Sequence, residues 1–293
     1  MEKKITLIIP IFNEIKGIKK SILNINKFSE NFFDWNIIVV DDGSNDGTSE
    51  ILNEKLKNKI KIISHEVNKG YGAALKSGIK ATLSDYIAII DADGTYPFED
   101  FKKFEEEMEK YSMVIGYRKN IDGSIPLIKR IPKFFIRKFA SYITGINILD
   151  FNSGMRIFKR KYAMKLMNYF PNGFSFTTTI TVSFASNDLE VKYLPIEYLK
   201  RDGKSKIKPI RDTIKFLLLI FRLGIYFSPF KIYGPLIIIS TLVGIGFMSF
   251  RIYNGEGFLA LTLISFMLSI VFTCFAMLAH SISLIFRDRL SND

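Results

Sequence analysis

YIAIIDADGTYP, residues 86–97, sets an unbroken apolar run directly before two carboxylates, Asp91 and Asp93. An apolar run bounded by turn residues, with no alternation of polar positions, is the pattern of a parallel strand covered by helices on both faces. The same unit recurs on either side. ITLIIPIF (5–12), NIIVVDDG (36–43), IKIISHE (60–66) and MVIGYR (113–118) are β-branched runs separated by helix-like stretches such as AALKSGIKA (73–81). This rhythm predicts a doubly wound, mostly parallel α/β sheet, in which ligands bind beyond the carboxyl ends of the strands.

Composition narrows the function classes. At 293 residues and 48% hydrophobic, the chain is not disordered. Its 41 Lys and Arg against 29 Asp and Glu give a formal charge of +12 and call for an anionic partner. Between Arg118 and Lys231 the cations interleave with apolar segments instead of forming a tail or a helix stripe, which favours lipid headgroups over nucleic acid. The single cysteine, Cys274, allows no internal disulfide and no Cys-based zinc site. MEKKITLIIPIF is too short in its apolar part to be a secretory signal and reads as a first buried strand. His65 and His280 have no partner at metal-ligand spacing and are assigned structural roles.

The character changes after Lys200. RDGKSKIKPIRDTIKFLLLIFRLGIYFSPFK (201–231) mixes cations with large apolar residues, as an amphipathic helix in a membrane interface does. Ile232–Phe250 carries no charge, and Phe258–Phe286 carries only the titratable His280; each is long enough to span about 30 Å of hydrocarbon. Lys208, Arg211, Lys215, Arg222 and Lys231 precede the pair and Arg287 and Arg289 follow it, while the connecting YNGEG has no cation. Positive-inside logic therefore places the catalytic part and both termini in the cytoplasm, with Arg251 discordant. Gly244, Gly246, Ser265 and Ser269 are placed to let the two helices pack closely. The expected organisation is a catalytic domain over 1–206 with an interface helix near 132–146, an amphipathic interface helix over 207–230, and a two-helix membrane hairpin with a short tail over 231–293. Two spans leave oligomers permitted but not required, and are too few for a pore.

Three loops carry chemistry. Asp91 and Asp93, two apart in an extended turn, can face the same way with Ala92 between them, which suits Mg²⁺ or Mn²⁺ completed by water and a diphosphate; alone, the same turn would only lead into the next helix. Asp41-Asp42-Gly43-Ser44 ends a strand; Asp42 is placed to cap the turn and, at the same time, to accept hydrogen bonds from a base or ribose, while the glycines let a flat ring approach the backbone. Asn68-Lys69-Gly70-Tyr71-Gly72 opens a helix and offers backbone N–H groups and a cation to a phosphate or a sugar hydroxyl.

Taken in order, IIPIFNE, VVDDGSNDGT, NKGYGAALKSG, DADGTYP, FNSGMRIFKR and RDGKSK resemble the family 2 glycosyltransferases of GT-A fold. With the two C-terminal spans, the chain looks most like the polyprenol-phosphate glycosyltransferases, the group of dolichol-phosphate mannose synthases and their undecaprenyl-phosphate relatives. The resemblance implies a nucleotide cradle at Pro10, Phe12, Glu14, Val40 and Asp42, with Phe12 in place of the usual Tyr. It implies donor contacts from Lys69, Gly70, Asp91, Ala92 and Asp93, with a metal on Asp91 and Asp93 bridging the diphosphate. Arg118 and Arg130, or Lys129 in place of Arg130, stand where relatives receive the acceptor phosphate. Asp150 matches an aspartate near the sugar and is the candidate base if one is required. Arg201, Lys204 and Lys206 fall in a loop that closes over the diphosphate.

The implied reaction is inverting transfer of a hexose from a nucleotide sugar to polyprenyl phosphate, undecaprenyl or dolichyl, at the cytoplasmic membrane face. Mannose-type synthases commonly continue the DxD as Leu-Gln, whereas Gly94-Thr95-Tyr96-Pro97 follows here, so a UDP-sugar is favoured over GDP-mannose. The rival readings are transfer to another membrane lipid such as diacylglycerol, and a non-catalytic nucleotide-sugar-binding membrane protein.

Overall fold

The computed structural model describes residues 5–32, 34–57, 59–119, 127–173, 175–198, 209–255 and 260–291. Each apolar run forms the expected strand: β1 (Ile5–Ile11), β2 (Asn36–Asp41), β3 (Lys61–Ser64), β4 (Tyr86–Ile89) and β5 (Met113–Arg118), joined by β6 (Arg156–Lys159) and β7 (Val191–Ile196). Among the described residues they form one sheet in the order β3-β2-β1-β4-β6-β5-β7. β1 to β4 pair in parallel, as do β5 and β7, while β6 runs antiparallel to both β4 and β5.

That reversal positions the site. β6 begins where its neighbours end, with Arg156 opposite both Ile89 of β4 and Ile115 of β5. The segment entering β6 is thereby carried to the carboxyl edge of the sheet, where Asp91 and Arg118 stand.

Helices cover both faces. On one, α1 (Ile18–Asn31), α2 (Thr48–Leu56) and α4 (Phe101–Glu107) close a core that includes Phe28, Leu52 and Phe101. The ring of Phe28 stacks on Phe32 at 4.5 Å and meets Trp35, Phe98 and Phe101 edge-on at 5.4, 5.7 and 6.1 Å. On the other face lie α3 (Tyr71–Lys80), α6 (Arg160–Lys165) and α7 (Phe176–Ser186), overlaid by α5 (Leu127–Thr144) and α8 (Pro209–Phe227). α7 is buried at every residue; the Thr179 and Thr181 hydroxyls donate to the carbonyls of Ser175 and Thr177, while those of Ser183 and Ser186 are buried without a hydrogen-bond partner.

α5 and α8 each bury one apolar face and expose another. Ile136, Ala140 and Ile143, with Ile220, Leu223 and Phe227, enter the core, while Phe134, Phe135 and Tyr142, with Ile214, Leu218, Phe221 and Tyr226, remain exposed. α9 (Pro229–Tyr253) and α10 (Ala260–Ser291) contain 25- and 26-residue stretches of mean hydropathy 1.8 and 2.3 that are long and apolar enough to cross a membrane. Only 6% and 11% of their most apolar windows are buried, so neither is a core helix. They pack on each other through Gly244 against the Phe266 ring and a 2.7 Å hydrogen bond between the Thr241 and Ser269 hydroxyls. Gly246 faces open space and makes no helix contact, contrary to expectation.

Replacing Phe28 by Ala should empty the aromatic cluster and destabilise this domain by about 3–5 kcal/mol. The measurement is denaturant unfolding followed by the fluorescence of Trp35, the sole tryptophan.

Candidate active site at the carboxyl edge of the sheet

The loops after β1 and β2 are stitched into one wall. Asn13, in a left-handed conformation at φ 51°, accepts a hydrogen bond from Asn45 N–H and donates its own N–H to the Ser44 hydroxyl, both at 2.9 Å. Glu14 N–H reaches the Thr48 hydroxyl at 3.1 Å and Ile15 N–H reaches the Asp46 carboxylate at 3.1 Å. Desolvation works against the charge on Asp46, but these bonds and that of the Thr48 hydroxyl outweigh it and hold the carboxyl below its ordinary pKa. Pro10 and Glu14 are half-buried along this wall, and Phe12 is 38% exposed, which leaves an apolar ring face open to a flat ligand. Val40 departs from expectation, because its side chain is fully buried in the core.

Asp42 is spent inside the protein. Its carboxylate accepts the N–H groups of Lys69 and Gly70 at 3.0 and 2.8 Å and the Nδ1 of His65 at 2.7 Å. The capping reading therefore holds for Asp42. The N–H groups of residues 69 and 70 are not open to a phosphate, because a buried donor takes the nearest acceptor. His65, bonded on its other ring nitrogen to the Ser77 hydroxyl at 2.9 Å, ties this turn to α3. The glycines answer to the same packing. Gly43 has φ +74° and a Cβ there would stand 2.6 Å from the Val67 carbonyl carbon; Gly70 has φ +101° and backs onto the Asn172 carbonyl.

Asp91 and Asp93 face the edge from a turn anchored by the Ser21 hydroxyl, which donates to the Ala92 carbonyl at 2.7 Å. Asp93 accepts the Thr95 hydroxyl and N–H at 2.6 and 3.1 Å, and Asp91 accepts the Tyr71 hydroxyl at 3.0 Å. Burial, reinforced by the charge of Asp91, raises the Tyr71 pKa well above its ordinary value, so this hydroxyl remains a donor at any working pH. Gly154 lies against the Asp91 carboxylate so closely that an added Cβ would collide with it, and its N–H donates to the Tyr96 hydroxyl at 2.9 Å. Beneath sits Arg156, 0% exposed, donating to the Ser153 and Thr177 carbonyls at 2.6 and 3.0 Å and to the Thr181 hydroxyl at 2.9 Å. Burial pulls its pKa below the ordinary value, and its Nε has no hydrogen-bond partner.

Tyr71, Tyr96, Gly154 and Arg156 were not singled out from the sequence. Their motifs were visible, but the approach of Gly154 to Asp91 and Tyr96 depends on the reversal of β6. As a metal site, the donor set is two oxygen-ligating carboxylates, with no group of three or more His, Cys, Asp or Glu among the described residues. That set fits Mg²⁺ or Mn²⁺, which take one or two carboxylates and fill the remaining positions with water and substrate phosphate.

Arg118 and Asp150 form a bidentate pair. Nε to Oδ2 is 2.7 Å and Nη2 to Oδ1 is 2.9 Å, and the guanidinium lies 5.1 Å from the Tyr198 ring centre. Burial opposes the charge on Arg118, but the bonds to Asp150 prevail and raise its pKa above the ordinary arginine value. Asn152 N–H also donates to Asp150 at 3.1 Å, so both carboxylate oxygens accept hydrogen bonds. The Nη1 of Arg118 has no partner among the described residues. Lys129 and Arg130 fall in the first turn of α5, with side chains outside the described set. Arg201, Lys204 and Lys206 lie outside the described residues altogether.

Comparison with known proteins identifies the family and the fold. The sequence profile described as Glycosyl transferase family 2 matches residues 6–167, more than half of the chain. The low-salt glycan biosynthesis hexosyltransferase Agl6 of Haloferax volcanii is 28% identical over 278 residues, 90% of this chain and 66% of that protein. The dolichyl-phosphate beta-glucosyltransferase ALG5C of Trichomonas vaginalis is 32% identical over 245 residues, 76% of this chain and 71% of that protein. In three dimensions the chain resembles glucosyl-3-phosphoglycerate synthase of Mycobacterium tuberculosis, solved with Mn²⁺, UDP and glucosyl-3-phosphoglycerate, at a TM-score of 0.57 and 16% identity over 76% of this chain and 80% of that one. The chain belongs to glycosyl transferase family 2 and has the GT-A fold.

Proposed function

We propose that this glycosyltransferase moves a hexose, with inversion, from a UDP-sugar in preference to GDP-mannose onto polyprenyl phosphate at the cytoplasmic face of a membrane. One observation carries the reading. A guanidinium oriented by Asp150, its Nη1 without a partner among the described residues, stands on the same sheet edge as the Asp91 and Asp93 turn, in a domain joined to two exposed apolar helices. A planar guanidinium suits a phosphate monoester. The dolichyl-phosphate glucosyltransferases among the relatives support a lipid phosphate acceptor and a glucosyl donor.

In this reading Phe12 offers a face to the nucleotide base, and Asp91 and Asp93 hold Mg²⁺ or Mn²⁺ against the donor diphosphate. The ion, when bound, offsets the negative charge that grows on the departing nucleotide. Tyr71 and Gly154 fix the direction of the Asp91 carboxylate, and Asp150 fixes Arg118, which orients the acceptor. A phosphate monoester is ionised at neutral pH, so the attacking oxygen needs no general base and the engaged lone pairs of Asp150 are no obstacle. Positioning supplies the remaining advantage. The exposed apolar faces of α5 and α8 suit the headgroup boundary, and cytoplasmic placement follows from the cations at the hairpin ends.

Purified protein with polyprenyl phosphate and a panel of UDP- and GDP-sugars should yield a glycolipid that disappears with EDTA and with Asp93→Asn. Product from diacylglycerol alone would overturn the acceptor, and no product from either lipid would overturn the reading. Gly154→Ala should turn the Asp91 carboxylate aside and lower kcat by about 100-fold, the usual cost of displacing a catalytic group by about 1 Å, with the melting temperature near that of the parent. Asp150→Asn should raise the KM for polyprenyl phosphate about tenfold, the value of one charge-assisted hydrogen bond, and change kcat far less. A general base at this position would show the opposite split.

A further inference from the structure

Three helices of the catalytic domain end where the apolar hairpin begins: α5 at Thr144, α7 at Ser186 and α8 at Phe227. The last carbonyls of a helix lack intrahelical partners and carry the negative end of its dipole. Two hairpin cations meet these ends. Lys231, in the first turn of α9, donates from Nζ to the Ile143 carbonyl at 3.0 Å. Arg287, near the end of α10, donates from Nη2 to the Ser186 and Phe227 carbonyls at 2.8 and 3.3 Å, and from Nη1 to the Asp188 carboxylate at 2.9 Å. Asp188 takes a left-handed conformation at φ 58° just beyond α7, which places its carboxylate beside that helix end. Around these bonds Gly224 packs on Ile143 and Ile232, and Phe230 meets His280 edge-on at 5.1 Å.

Lys231 and Arg287 were read from the sequence as charges that set topology, and an ordinary juxtamembrane cation points at lipid phosphates. These two are instead spent on helix ends of the catalytic domain. The covalent joint between domain and hairpin is a single non-helical residue, Ser228, which alone would leave the domain free to tilt. We propose that Lys231 and Arg287 are positioning residues that lock the catalytic domain onto the hairpin, fixing the height and tilt of Arg118 and the Asp91 turn over a lipid-borne phosphate. The functional half of this proposal rests on the lipid-phosphate reading; the mechanical half does not.

The test uses the full chain in lipid nanodiscs with Lys231→Gln, Arg287→Gln and the double variant. Spin labels at Glu54→Cys and Asn254→Cys in a Cys274→Ser background report the distance between domain and hairpin turn. The double variant should broaden that distribution, and Asp188→Asn, a change at an exposed side chain, should broaden it less. With long-chain polyprenyl phosphate in the bilayer, kcat/KM should fall about 10- to 100-fold in the double variant, as for other losses of alignment. A short prenyl phosphate dispersed in detergent should be used as well as by the parent, and the donor KM should not move. An unchanged distance distribution overturns the lock, and equal losses on both acceptors overturn its role in alignment. A parent inactive on both acceptors overturns the lipid-phosphate reading and the alignment role with it, while the distances still decide the lock.

Discussion

The contact between the Asp91 carboxylate and the α-carbon of Gly154 constrains everything around it. Room for that carboxylate exists only because β6 runs against its neighbours and presents a residue without a side chain. Arg156 keeps the segment in place by tying β6 to α7, and the three bonds from its Nη atoms offset much of the cost of burying a guanidinium whose Nε stays unpaired. The buried polar helix α7 supplies two of the acceptors. A buried, hydroxyl-rich helix, a reversed strand and a glycine are thus one solution to the problem of aiming one carboxylate.

The same economy shapes the turn after β2. Asp42, His65 and the N–H groups of residues 69 and 70 satisfy one another, so the turn is rigid before any ligand arrives. Preorganisation of this kind removes ordering costs from binding. On the acceptor side, Asp150 does the equivalent for Arg118.

β1 to β5 were legible because each is an apolar run beside turn residues, a local signal that parallel packing demands, whereas β6 and β7, with cations or a proline inside short segments, were not read as strands. The carboxylate pair and the two apolar helices were legible for the same reason. That the N–H groups of residues 69 and 70 turn inward was not legible, because their acceptor lies 27 and 28 residues away in sequence. Gly43 and Gly70 read equally well as ligand-facing or chain-facing, and only the neighbouring backbone at Val67 and Asn172 distinguishes the two. Arg118 and Asp150 were both singled out, yet their pairing has no sequence signature at a separation of 32 residues.

Asp42 grips the loop at residues 69 and 70 by backbone N–H groups, and a backbone donor is the same whatever side chain follows it. The geometry of this turn is therefore insulated from substitution at position 69, whereas Asp42 and His65 bind through their side chains and are not interchangeable. Such a division lets the charge and size of the side chain at position 69 change while the turn is inherited intact, so that this part of the edge can vary without first unmaking the fold.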